Sequence, residues 1–161
     1  MANALANRLV RPAFIIFATL VAVAAMLVAT AQPASAHTRA EAVTNGCGSG
    51  YAIASDGVRN VNSSSGAKWG EVILAYNASN GRNCVVTNKT SGSPYHGTPT
   101  RIAAVLVVQG DTTYHRADDS ASHWESISAY AADACVQYWG YIYSPSGSSA
   151  FGGRQSWGNC G

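Results

Sequence analysis

The chain has 161 residues, of which 47% are hydrophobic and only 11% charged, with four cysteines and a formal net charge of +2. That length is enough for one ordinary domain with a buried core. So small a charge, with no basic run, excludes the phosphate-neutralising surface that nucleic-acid binding requires.

Residues 1–12 carry Arg8 and Arg11 and no acidic residue, and residues 13–31 are uncharged and dominated by Ala, Val, Ile, Leu and Phe. This is the n-region and h-region of a secretory signal. Pro33 ends the apolar run, and Ala34-Ser35-Ala36 supplies the small residues that signal peptidase reads. Residues 1–36 are therefore expected to be a signal peptide cut after Ala36. The competing reading is an uncleaved anchor, since residues 13–31 approach the ~20 apolar residues that span a bilayer. Losing Arg8 and Arg11 leaves eight basic against eight acidic residues, a formal charge of zero. Neither nucleic acid nor, after cleavage, a membrane is an expected partner.

Residues 37–46 have little apolar content and read as a loose leader, so that one β domain is expected over 47–161. Turn-forming clusters recur at 62–66, 77–81, 91–94, 110–111 and 144–149. Between them lie short runs rich in Val, Ile, Tyr and Trp, a composition suited to pleated, half-buried strands. Residues 72–76 and 84–87 flank Asn80-Gly81, which tolerates positive φ and favours a hairpin. Residues 102–108 are continuously apolar, as in a strand covered on both faces. Gly110-Asp111 then reverses the chain into 112–116.

Farther on, Ile127, Ala129 and Ala131 alternate with Ser126, Ser128 and Tyr130. Cys135, Gln137, Trp139, Tyr141 and Tyr143 share one alternating face, opposite Val136, Tyr138 and Ile142. No stretch after the signal holds a capped helical stripe over three turns. The expected fold is an all-β sandwich or barrel of seven or eight strands, stapled by disulfides.

Cys47, Cys84, Cys135 and Cys160 all follow the export signal, and an even count in a short exported chain points to two disulfides. Of the three pairings available, Cys47 with Cys84 and Cys135 with Cys160 ties each chain end to a nearby strand. A redox or zinc site is disfavoured, because there is no C-x-x-C and the spacing matches no zinc pattern. Neither a metal nor a cofactor is expected.

The sequence marks no nucleophile: it has no G-x-S-x-G and no H-E-x-x-H. No catalytic residue is therefore assigned. His115, Asp118, Asp119, His123 and Glu125 form the one suggestive cluster, able in principle to hold a divalent ion or an acid-base pair. A solvated connection between strands explains the same residues. The aromatic residues are the better lead. Stacked rings are a common way for secreted β domains to hold sugars, which makes Trp124, Trp139 and Trp157 the candidate ligand-binding residues, beside the alternative that they fill the core. The sequons at Asn62, Asn77 and Asn88 read as loops only.

Cys47-Gly48-Ser49-Gly50-Tyr51, the run Asn80-Gly81-Arg82-Asn83-Cys84-Val85-Val86-Thr87, Cys135-Val136 before Trp139-Gly140, and the terminal Cys160-Gly161 resemble the spore-associated protein A family of actinobacteria. The resemblance covers nearly all of the chain after the signal. It implies a small secreted protein of the spore surface or cell envelope, with no established enzymatic activity and no assigned catalytic residues to transfer. One departure stands out. Where the family has Tyr-Ala-Gly-Pro-Val before the third cysteine, this chain has His123-Trp124-Glu125-Ser126-Ile127.

The leading expectation is a non-enzymatic protein of the spore or cell surface that binds envelope polymers or proteins. Two others stand beside it. One is a small secreted hydrolase using the cluster from His115 to Glu125. The other is a protease inhibitor presenting residues 144–156 as a long loop braced by Cys160.

Overall fold

The Val-, Ile- and Tyr-rich runs become antiparallel strands in the computed structural model, which describes residues 37–160. The expected signal peptide, its cut and Gly161 lie outside the described residues. In chain order the elements are α1 (Arg39–Cys47), β1 (Ala52–Ser63), β2 (Lys68–Asn77), β3 (Arg82–Asn88), β4 (Thr100–Val108), β5 (Tyr114–Ala121), β6 (Trp124–Tyr130), β7 (Val136–Tyr143) and β8 (Ser149–Gly158).

All ladders are antiparallel, and the strand order is β5-β4-β7-β8-β1-β2-β3-β6. The end strands β5 and β6 are consecutive in the chain and pack on one another without a ladder, so the sheet forms a nearly closed barrel. The all-β expectation holds, with eight strands and a barrel rather than a sandwich. Among the described residues no helix is long and apolar enough to cross a membrane.

Alternation decides what fills the barrel. Val72 and Leu74 of β2, Val85 of β3, Ile102, Ala104 and Leu106 of β4, and Val136, Tyr138 and Ile142 of β7 are wholly buried in one cluster. Burying each larger aliphatic side chain contributes about 1.5–3 kcal/mol. β2 and β3 read as continuous apolar runs because their other faces are covered too. Ile73, Ala75, Cys84 and Val86 form a second cluster outside the barrel, against Ala42 and Val43 of α1.

That helix replaces the loose leader expected over 37–46. Thr38 and Glu41 make a reciprocal capping box, which satisfies the free N–H groups of the first turn. Arg39 reaches over to Glu71 of β2 with two hydrogen bonds of 2.6 and 2.7 Å. Cys47–Cys84 then staples the helix end to β3, and Cys135–Cys160 ties the chain end to the start of β7. The disulfide pairing expected from the sequence is the one present.

One end of the barrel is closed by a buried ammonium. Lys89 is wholly buried, and its Nζ donates to Thr98 O and Thr100 Oγ1, each at 2.8 Å, and to Ala121 O. Burial pushes its pKa down to about 8.

Candidate functional site

Because β7 alternates, its odd residues face away from the core, and the register aligns them with neighbours on β4, β5 and β8. Trp139 lies beside Val105, Tyr141 lies between Ala103 and Phe151, and Tyr143 pairs with Ser149. Val105 and Ala103 pair in turn with Arg116 and Asp118 of β5. Small residues on β4 thus leave room for large rings on either side.

The result is a continuous outer wall of aromatic and guanidinium groups. Tyr141 packs on Phe151 at 5.2 Å and stacks with Tyr143 at 6.1 Å, while Tyr114 tilts against Trp139 at 5.8 Å. Arg101 lies over the Tyr143 ring at 4.7 Å and Arg116 over Tyr141 at 5.6 Å, geometry at which a cation is attracted to the ring face. Tyr114 is 52% exposed and Phe151 39%, so these two rings are offered to solvent, while Tyr141 and Tyr143 are half-buried and Trp139 is buried beneath Tyr114.

Both arginines are anchored on one carboxylate. Arg101 grips Asp118 with two bonds of 2.8 and 2.6 Å, and Arg116 adds two more of 3.1 and 2.6 Å. Arg101 first, then Arg116, hold the Asp118 carboxyl at about 2, against the opposing effect of burial. The guanidinium planes are thereby fixed above the rings at any physiological pH, leaving one positive charge in excess.

The structure divides the candidate tryptophans. Trp139 joins the wall at its buried base, 8% exposed and packed against Tyr114. Trp124 sits at the start of β6, where it packs on the helix-side cluster and against His37 at 4.8 Å. Trp157 is 45% exposed and lies within the bulge of β8, between Arg154, which pairs with Tyr138, and Gly158, which pairs with Val136. Sequence reading missed Tyr114, Phe151, Arg101 and Arg116. The alternation of Trp139, Tyr141 and Tyr143 was the signal that led to this face.

The cluster proposed for a hydrolase is dispersed. His115 pairs with Asp111 at 2.8 Å near the start of β5, and Asp118 belongs to the arginines. Asp119 and Glu125 accept from the backbone N–H of their own neighbours, Ser120 and Ser126. His123 lies in the turn past the far end of β5, whose six strand steps from His115 to Ala121 alone span roughly 20 Å. It joins His37 and His96 instead, with ring centroids at 4.6 and 4.9 Å.

A mainly apolar cleft of about 420 Å³ at the other end of the barrel is lined by Ala52, Ile53, Tyr76, Asn83 and Ala131 among others, and by no His, Asp, Glu, Lys or Arg. The inhibitor reading loses its loop. Residues 144–148 are a tight turn closed by Ser144 N donating to Ser148 O, and Ser149–Gly158 is strand β8.

No protein-family model matches the chain, and no solved structure matches it. Spore-associated protein A of Streptomyces coelicolor is 35% identical to it over 153 residues, which cover 89% of this chain and 86% of that protein. With identity of that level along almost the whole of both chains, a shared fold and ancestry follow, and the chain belongs to the spore-associated protein A family.

Proposed function

We propose that this is a non-enzymatic protein exported to the spore surface or cell envelope, where it holds envelope polymers or proteins on the β5-β4-β7-β8 wall. The observation that carries the reading is the run of Tyr114, Trp139, Tyr141, Tyr143 and Phe151 outside the barrel, with two arginines fixed over it. Ring faces stack on the apolar faces of sugars, and guanidinium groups donate to hydroxyl and acidic oxygens. Support for the setting comes from the name of the Streptomyces relative and from two disulfides, which persist in oxidising surroundings outside the cytosol.

The test is sedimentation of the exported protein with purified spore coat, cell wall and wall glycan. A Tyr141→Ala/Tyr143→Ala protein with an unchanged melt is expected to bind at least tenfold more weakly. A wild-type protein that stays a free monomer with affinity for none of these materials refutes the proposal. So does a double variant that binds as well as the wild type.

A further inference from the structure

The barrel end closed by Lys89 carries three imidazoles that the aromatic wall does not use. His37 precedes the N-cap of α1, His96 lies between β3 and β4, and His123 sits in the β5–β6 turn. Three separate connections thus meet in one place. The ring centroids are 4.6 Å apart for His37 and His123, 4.9 Å for His96 and His123, and 6.4 Å for His37 and His96. An ion bound tetrahedrally by three imidazoles, with metal–nitrogen distances of about 2.0–2.1 Å, keeps the ring centroids roughly 5 Å apart in each pair. The two separations that involve His123 lie close to that value, and the one between His37 and His96 exceeds it.

Two of the ring nitrogens are unaccounted for in the fold. His96 Nε2 and His123 Nδ1 are buried and have no hydrogen-bond partner, a state that buried polar atoms in native proteins rarely keep without a function or a bound species. Burial, followed by the positive surroundings of His37, His96 and Lys89, lowers the His123 pKa and favours the neutral ring that can donate a lone pair to a metal. As they stand, no three His, Cys, Asp or Glu side chains among the described residues converge on one point. Neither buried nitrogen is held by a hydrogen bond, however, so the side chains are free to turn about χ1 and χ2 toward a shared ion, and that rotation must also draw His37 and His96 together.

We propose that His37, His96 and His123 bind one divalent transition-metal ion of nitrogen preference, Zn²⁺ or Cu²⁺. An all-imidazole donor set suits these ions and leaves Ca²⁺ and Mg²⁺, which take oxygen ligands, without a partner. Cleavage after Ala36, as the sequence leads one to expect, adds the α-amino nitrogen of His37 as a fourth donor, but the three imidazoles suffice for the site. The Lys89 ammonium opposes a cation here and limits affinity. Its hydrogen bonds to Thr98 O, Thr100 Oγ1 and Ala121 O keep it committed elsewhere.

The experiment uses the protein as exported, without a histidine tag, titrated with Co²⁺ by visible absorption and with Zn²⁺ by calorimetry. One equivalent is expected, with tetrahedral cobalt bands that Zn²⁺ displaces. His96→Ala and His123→Ala should each weaken binding at least tenfold, whereas His115→Ala should not change it. His96→Gln and His123→Asn serve as second variants should the alanines fail to fold. Absence of a single stoichiometric site in the wild type overturns the proposal. Unchanged affinity in the folded His96 and His123 variants, or an equal loss in His115→Ala, does so as well.

Discussion

Gly140 faces the barrel interior between two residues of the aromatic wall, Trp139 and Tyr141. A Cβ at this position would lie 2.1 Å from Thr87 Oγ1, 2.9 Å from its Cγ2 and 3.0 Å from its Cβ. Thr87 is wholly buried, and its hydroxyl donates to Ala103 O at 2.8 Å, so it cannot turn aside without breaking that bond. Gly140→Ala must therefore push β7 from β3 or force Thr87 off its rotamer, overpacking that costs about 1–3 kcal/mol. Ala regains about 0.5–1 kcal/mol over Gly in strand conformation. The net loss is about 1–2 kcal/mol, which lowers the Tm by roughly 4–8 °C in a domain of this size. Thr87→Ala alone loses a hydrogen bond and a methyl group, about 1–2 kcal/mol. In the double variant only the contact with Cβ remains, so the two losses should not add, and a coupling of about 1 kcal/mol is expected. Thermal and urea melts of the four proteins measure it. A neutral Gly140→Ala, or strictly additive losses, refutes the close approach of β3 and β7 on which the position of the aromatic strand depends.

Three further outcomes follow from the same packing. The Glu71 carboxyl is held at about 2, below its ordinary 4.5, first by Arg39 and then by Lys68. Its contribution is fully present above pH 4.5 and is lost as the pH falls through about 2. The shift corresponds to roughly 3 kcal/mol, reduced to about 1–2 kcal/mol by solvent around the half-exposed Arg39. Stability of Glu71→Gln should accordingly fall less than that of the wild type between pH 5 and pH 2, and equal slopes in urea melts refute the assignment. Lys89→Met takes the donor from Thr98 O, Thr100 Oγ1 and Ala121 O in the buried barrel end, and should cost about 2–5 kcal/mol in urea melts, at about 1–3 kcal/mol for each acceptor left unpaired. A loss below about 1 kcal/mol would mean that water replaces the ammonium. Replacing Cys47 and Cys84 by Ala opens a 37-residue loop, worth about 4 kcal/mol on the chain-entropy model. Hydrogen exchange at Ala42 and Val43 should then outpace exchange in β4, and uniform acceleration would show that α1 does not open separately.

The strands visible in the sequence were those whose side chains themselves carried the pattern. Residues 102–108 are apolar throughout because β4 lies between the barrel interior and the wall, and Asn80-Gly81 marks the β2–β3 hairpin. β1 and β8 were not read as strands, because Asp56, Gly57, Gly152, Gly153 and Arg154 break their alternation. Their places are set by neighbours, through the β2 ladder for β1, the β7 ladder for β8 and the Arg154–Asp56 ion pair at 2.7 Å. Helix α1 was missed although Thr38 and Glu41 stand at capping-box spacing, since nine residues with two buried side chains hold no stripe across three turns. The family resemblance was legible in the cysteine-flanking motifs. The wall was half legible: β7 announced its rings, but Tyr114, Arg101, Arg116 and Phe151 reach it from other strands, and only register brings them there. The imidazoles show the same limit. His37, His96 and His123 are 59 and 27 positions apart in the chain, and no local motif connects them.

The architecture itself narrows where a large partner can dock. A sheet edge is the usual template for adding a foreign strand. Here the two edge strands, β5 and β6, pack on each other, and the short β1–β8 seam at Asn62–Phe151 and Ser63–Ala150 completes the ring. Helix α1 covers the outside of β2, β3 and β6, with Cys47–Cys84 locking it down. Among the described residues no helix covers the outside of β4, β7 and β8. A domain that needed these strands only for stability could face them with Ser, Thr and Lys. Instead it places Tyr141, Tyr143 and Phe151 in mutual contact and spends Asp118 on orienting Arg101 and Arg116 over them. A partly exposed aromatic cluster rimmed by oriented charge has the composition common at interaction surfaces of soluble proteins. The side of the barrel that α1 leaves uncovered is thus also the side that carries the proposed binding wall.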